Sequence, residues 1–109
     1  MSAALTTVTP ARAAGPAPDW NLAHSNLVEV LVGLVRIDTS NPPGNETKAA
    51  VYLRDLLARD GLPSEILEIE AGRGNLIARL RGNGRKAPLL LLGHTDVVGV
   101  EREKWTVDP

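Results

Sequence analysis

The chain has 109 residues, 43% hydrophobic and 3% aromatic, with 12 Lys and Arg against 13 Asp and Glu for a net charge of −1. This length accommodates one small domain with a modest core, and the near balance of charge gives no electrostatic case for nucleic acid or an acidic membrane surface as partner. Cysteine is absent, which excludes disulfides and thiolate metal sites and leaves His, Asp and Glu as the strong metal ligands. With no Phe, one Tyr and two Trp, the core must be aliphatic.

Residues 1–19 are rich in Ala, Thr and Pro, carry Pro10, Pro16 and Pro18, and show no helical or strand period, so they read as a disordered leader ahead of a domain over residues 20–109. Ala11-Arg12-Ala13 has the small-x-small form of a signal-peptidase site, and Ala3 to Val8 resembles the remnant of an apolar segment. No positive charge precedes it and threonines dilute it, so two localisations stay open: cytoplasmic with a disordered leader, or periplasmic or secreted with a truncated signal.

Helical patterning begins near Ser25. Leu27, Val30, Leu31, Leu34 and Val35 fall on one stripe, with Ser25 available as N-cap, and the stripe predicts a helix that packs against a neighbour. It must end before Asp38-Thr39-Ser40-Asn41-Pro42-Pro43-Gly44, because two prolines and a glycine forbid continuation. A second helix follows, with Asn45 as N-cap, Glu46 near the positive end of the dipole, and Ala49, Tyr52, Leu53, Leu56 and Leu57 on its apolar face. Gly61 stops it and Pro63 bars extension; Tyr52 on this face reads as core.

Two strands are predicted next. Leu67 and Ile69 alternate with Glu68 and Glu70, and Leu76, Ala78 and Leu80 alternate with Ile77, Arg79 and Arg81, joined by Ala71-Gly72-Arg73-Gly74. Acids of the first strand and arginines of the second are placed to pair across the exposed side. After a Gly82-Asn83-Gly84-Arg85-Lys86 turn, Leu89 to Leu92 form an apolar run that is too short to span a membrane and suits a strand buried on both faces. The order argues for an α/β fold with helices packed on a mixed β-sheet. Two helices on one side cannot cover such a strand, so the run reads as the middle of a sheet whose other strands are missing, and the chain as a fragment.

His94 and Asp96 stand two apart just past that strand, on the same side if the backbone is extended. Alone, a His in this position is ordinarily a hydrogen-bonded loop residue. Next to a carboxylate it is also a metal ligand with its orienting partner, because the carboxylate accepts the second ring N–H and fixes the tautomer. Ends of strands are where open α/β sheets place their sites.

Gly93-His94-Thr95-Asp96-Val97-Val98 followed by Trp105 resembles the first metal-binding motif of metallopeptidase family twenty, the co-catalytic zinc peptidases and deacylases. That family includes acetylornithine deacetylase, succinyl-diaminopimelate desuccinylase, aminoacylase and glutamate carboxypeptidase. Arg36-Ile37-Asp38-Thr39-Ser40-Asn41-Pro42-Pro43-Gly44-Asn45-Glu46 resembles the loop after the first helix of the same family, and the likeness covers about residues 25 to 109. Where the family often has Pro after Asp-Val-Val, this chain has Gly99, which should loosen the loop before Trp105.

The resemblance implies an incomplete three-layer αβα zinc-peptidase domain that hydrolyses a peptide or the amide of an N-acyl amino acid. Two divalent ions, Zn²⁺ with Co²⁺ as a substitute, would activate a water and a glutamate would take its proton. It assigns His94 as metal ligand and Asp96 as the catalytic-site residue that clamps the imidazole, with Trp105 shaping the adjoining loop. The bridging aspartate, the Glu-Glu pair, the further ligands and a lid domain that commonly makes a homodimer have no counterpart in residues 1–109, so the isolated chain is expected to be inactive. Small peptides or N-acyl amino acids are the implied partners, without nucleic acid or membrane. The alternative is a non-enzymatic interaction or regulatory module that keeps the motif. An α/β-hydrolase is disfavoured because no Gly-x-Ser-x-Gly nucleophile elbow is present.

Overall fold

The computed structural model describes residues 16–109, in the order α1 (Trp20–Val35), α2 (Glu46–Arg59), β1 (Ser64–Glu68), β2 (Gly74–Ala78) and a 3-10 turn, Arg102–Lys104. The candidate cleavage site at Ala11-Arg12-Ala13 lies outside the described residues. Among those residues no helix is long and apolar enough to cross a membrane.

Helix α1 starts five residues before the Ser25 expected from its stripe. Asp19 is the true N-cap: its Oδ1 accepts from the amides of Asn21 and Leu22, each at 3.0 Å, meeting two of the donors that a helix start leaves open. Ser25 lies inside the helix and its hydroxyl donates back to the Asn21 carbonyl at 3.1 Å. The stripe expected to pack does so only in part: Val30 and Leu34 are half-buried, Leu27, Leu31 and Val35 are exposed, and no α1 residue is fully buried. The close approach of α1 to α2 is at Gly33, where the Tyr52 hydroxyl and ring edge fill the space a β-carbon would need.

Helix α2 carries the core. Ala49 and Ala50 are its buried apolar residues, while Tyr52, Leu53, Leu56 and Leu57 are half-buried. Asn45 occupies the N-cap position but makes no side-chain cap, contrary to expectation. The first turn is satisfied from outside the helix instead, since the Thr47 amide donates to the Gly72 carbonyl at 3.0 Å. At the other end Gly61, at φ +71°, donates to Ala58 and turns the chain out of the helix.

The two strands pair antiparallel from Ser64 opposite Ala78 to Glu68 opposite Gly74. This hairpin is displaced from the one predicted. Ile66 and Leu67 are adjacent and both apolar, so alternation alone leaves the phase open, and a one-residue slip exchanges the faces. The structure chooses Ile66, half-buried and opposite Leu76, whereas Leu67 and Ile69 are exposed. The cross-strand ion pair is correspondingly Arg79 with Glu65 at 3.3 Å rather than with Glu68 or Glu70.

Gly74 permits helix and hairpin to meet. A β-carbon there would lie 2.6 Å from the Thr47 hydroxyl and 3.1 Å from the Thr47 α-carbon. Glu68 completes the joint: its Oε1 accepts from the Thr47 hydroxyl at 2.7 Å and from the Gly72 amide at 2.6 Å. These two bonds, the Thr47 one first, hold the Glu68 carboxyl below its ordinary range.

The sheet has two strands among the described residues, not the mixed sheet expected. Leu89 to Leu92 pair with no strand and are each at least 83% exposed. An apolar run acquires a buried strand's environment only from flanking strands and covering layers, and none adjoins it among the described residues. The α/β character is therefore that of helix α2 on an antiparallel hairpin.

Two outcomes follow from the joint. Gly74→Ala should lower stability by about 1–3 kcal/mol, the cost of forcing a methyl into a filled contact, read as a lower urea midpoint at unchanged slope. Because its pKa is lower in the folded chain than in the unfolded one, Glu68 adds stability that is fully present above its unfolded pKa and is lost as pH falls through the folded value. Glu68→Gln should therefore be less stable than wild type at neutral pH and converge with it in acid, measured as melting temperature against pH.

Candidate active site

The loop after α1 is tied to the segment after the leucine run. The Asn41 amide donates to the Val97 carbonyl at 2.8 Å and the Val97 amide to the Thr39 carbonyl at 3.2 Å, making an isolated parallel bridge at Ser40 and Val97. Thr39 is buried and its hydroxyl donates to the Thr95 carbonyl at 2.6 Å. Asp38 shapes the start of this loop by accepting from the Ser40 amide at 3.0 Å, the main reason its carboxyl lies below the ordinary range.

This docking assembles the two residues singled out by the sequence. His94 Nδ1 lies 2.9 Å from Asp96 Oδ1 and 3.0 Å from the Asp96 carbonyl oxygen. Both neighbours of Nδ1 are acceptors, so a neutral ring carries its proton there and presents the Nε2 lone pair outward. The His94 side chain is 86% exposed, whereas that of Asp96 is 33% exposed. Asp96 Oδ2 accepts from Asn41 Nδ2 at 3.0 Å. The Asn41 bond, and after it the His94 bond, hold the Asp96 carboxyl below its ordinary range, outweighing partial desolvation.

His94 and Asp96 line an open groove of about 940 Å³ together with Glu46, Arg73, Leu92 and Ile77. Sequence reasoning passed over Asn41, Arg73 and Glu46 as side chains of the site. Arg73 Nη1 donates to Asn41 Oδ1 at 3.2 Å, and Arg73 Nε lies 3.0 Å from the buried Glu46 carboxyl group. That last contact is a charge pair rather than an aligned hydrogen bond, and among the described residues neither Glu46 oxygen has a hydrogen-bond partner. The available signal was the continuity of Asn41 to Glu46 within one family-like motif. Arg73, in the hairpin turn, carried none. Trp105 follows the 3-10 turn, is 54% exposed and does not line the groove.

The donor set fits one corner of a metal site. Nε2 of His94 is free to bind, whereas both Asp96 oxygens are engaged by His94 and Asn41. Among the described residues no three His, Asp or Glu side chains come together to hold an ion. One imidazole falls short of the three protein ligands of a catalytic zinc.

Known proteins share this arrangement of sequence. The chain is 33% identical over 90 residues to a protein of Staphylococcus epidermidis named "Probable succinyl-diaminopimelate desuccinylase", a match covering 81% of this chain and 21% of that protein. It is 37% identical over 84 residues to a protein of the same name from Staphylococcus aureus, covering 75% and 20%. It is 34% identical over 92 residues to an acetylornithine deacetylase of Vibrio parahaemolyticus, covering 84% and 18%. These names describe hydrolases that remove acyl groups. The chain belongs to metallopeptidase family twenty, and it spans about a fifth of the length of the curated relatives it matches. No family model and no solved structure matches it.

Thr39→Val tests the docking of the two segments. Loss of the Thr39 to Thr95 bond should cost about 0.5–1.5 kcal/mol and speed hydrogen exchange at the Asn41 and Val97 amides, with the hairpin amides less affected.

Proposed function

We propose that this chain belongs to a metal-dependent amidohydrolase that cleaves the amide of an N-acyl amino acid or small peptide, with His94 as a ligand of one of two zinc ions. The observation that carries the reading is the 2.9 Å pairing of His94 Nδ1 with Asp96 Oδ1 beneath an exposed imidazole. Its support is the similarity to desuccinylases and a deacetylase. Those relatives are named as enzymes, which favours hydrolysis over the interaction-module alternative.

In this reading His94 and Asp96 have distinct duties. Asp96, its carboxyl pKa lowered, stays anionic at neutral pH and accepts the Nδ1 proton. The ring proton is thereby kept on Nδ1, which leaves Nε2 available toward the groove. Bound there, divalent ions, Zn²⁺ or Co²⁺, supply Lewis acidity to amide hydrolysis. The remaining ligands and the general base come from outside residues 16–109, and the exposed Leu89 to Leu92 run supports a place inside a larger three-layer sheet. A homodimer through a lid domain belongs to the same proposal.

The test has two parts. The 109-residue chain with Zn²⁺ or Co²⁺ should show no turnover of N-succinyl or N-acetyl amino acids. The product of the whole open reading frame containing this sequence should hydrolyse at least one of them in a metal-dependent way, and Asp96→Asn should lower its metal affinity or activity by about 10–100-fold. A folded full-length product without acyl-amide hydrolysis across such a panel overturns the proposal.

A further inference from the structure

Asp96 is itself held. Its carboxyl group sits on a segment with no regular secondary structure, and the terminal torsion of an aspartate is broad, so one bond to His94 would leave the plane of the group free to swing. The second oxygen removes that freedom, because Oδ2 accepts from Asn41 Nδ2 at 3.0 Å. The backbone sets the distance: the Asn41 amide bonds to the Val97 carbonyl, which seats Asn41 beside Asp96.

The orientation of the Asn41 amide is dictated chemically on both sides. A guanidinium only donates and a carboxylate only accepts. Arg73 Nη1 therefore faces Asn41 Oδ1, and Asp96 Oδ2 faces Asn41 Nδ2. Arg73 is in turn fixed by charge, with Nε 3.0 Å from Glu46 Oε2 on a side chain that is 8% exposed. Gly44 provides the room: at φ +81°, a β-carbon there would come within 2.8 Å of Glu46 Oε2 and 2.9 Å of Arg73 Nη1.

We propose that Asn41, oriented by Arg73 on the buried Glu46, is a positioning residue that fixes the Asp96 carboxylate, which with the Asp96 carbonyl holds the Nδ1–H tautomer of His94. A series of polar contacts thus runs from the first turn of α2 through the hairpin turn and the loop after α1 to the imidazole. This joins the Asn41 to Glu46 motif to the His94 to Asp96 motif. The inference rests on reading His94 as a ligand through Nε2. Its test needs neither metal nor substrate, so it stands or fails separately from the hydrolase assignment.

The measurement is the tautomer of His94 by long-range ¹H–¹⁵N correlation in the ¹⁵N-labelled chain at about pH 8, above the ordinary imidazole range. His24→Gln assigns the two rings. Wild type should show Nδ1–H at His94. Asn41→Asp, close in shape but without the donor, should shift that signal measurably toward Nε2–H, the form that free imidazole side chains prefer. Arg73→Met, which leaves Asn41 in place, should shift the ring in the same direction, and Arg73→Lys, which keeps a donor for Asn41, should restore it. Arg73→Met and Arg73→Lys carry the test if Asn41→Asp does not fold. An Nε2–H ring in wild type overturns the proposal. So does an unchanged Nδ1–H ring in Asn41→Asp, or in Arg73→Met should Asn41→Asp not fold.

Discussion

The structure depends on the seating of the first turn of α2 against the hairpin turn. Three bonds and one charge pair converge there: Thr47 to Gly72, Thr47 and Gly72 to Glu68, and Arg73 to Glu46. The absence of a side chain at Gly74 allows the approach, since a β-carbon would meet Thr47. A helix start leaves its first amides unpaired, and here part of that deficit is met by the hairpin rather than by an N-cap side chain. The same contact that stabilises the fold thereby aims Arg73 at Asn41.

From that joint the site is built outward with decreasing burial. Glu46 is buried, Arg73 is partly covered, Asp96 is one-third exposed and His94 is open to solvent. The gradient leaves the imidazole oriented from behind and open in front. Hydrogen bonds to the anionic form set the electrostatics of Asp96, the one from Asn41 foremost. An anionic Asp96 beside Nδ1 makes His94 a better donor at Nε2 than an unsupported surface histidine.

The apolar surfaces show the opposite behaviour. The leucine run and most of the α1 stripe are as hydrophobic as core elements, yet Leu89 to Leu92 and Leu27, Leu31 and Val35 are exposed. Burial of an apolar stretch requires a facing surface, and the described residues supply one for α2 but not for these two.

Local chemistry was legible in the sequence by itself. The stop of α1 before Asp38, the end of α2 at Gly61, a hairpin between α2 and the leucine run, and the pairing of His94 with Asp96 all depend on residues close in the chain, where spacing and backbone preference decide. Kinship with metallopeptidase family twenty was likewise readable, because its two motifs are each contiguous. Only the tertiary structure decided the phase of the hairpin, since Ile66 and Leu67 are equally apolar and the covering helix selects between them. It also decided that Asp19 rather than Ser25 begins α1, and that Glu46, in the first turn of α2 as expected, is buried there against Arg73. The partners of Asp96 beyond His94 were beyond sequence reasoning for the same reason. Asn41 and Arg73 lie far from Asp96 along the chain, and their polar groups acquire direction only once the loop and the hairpin are packed together.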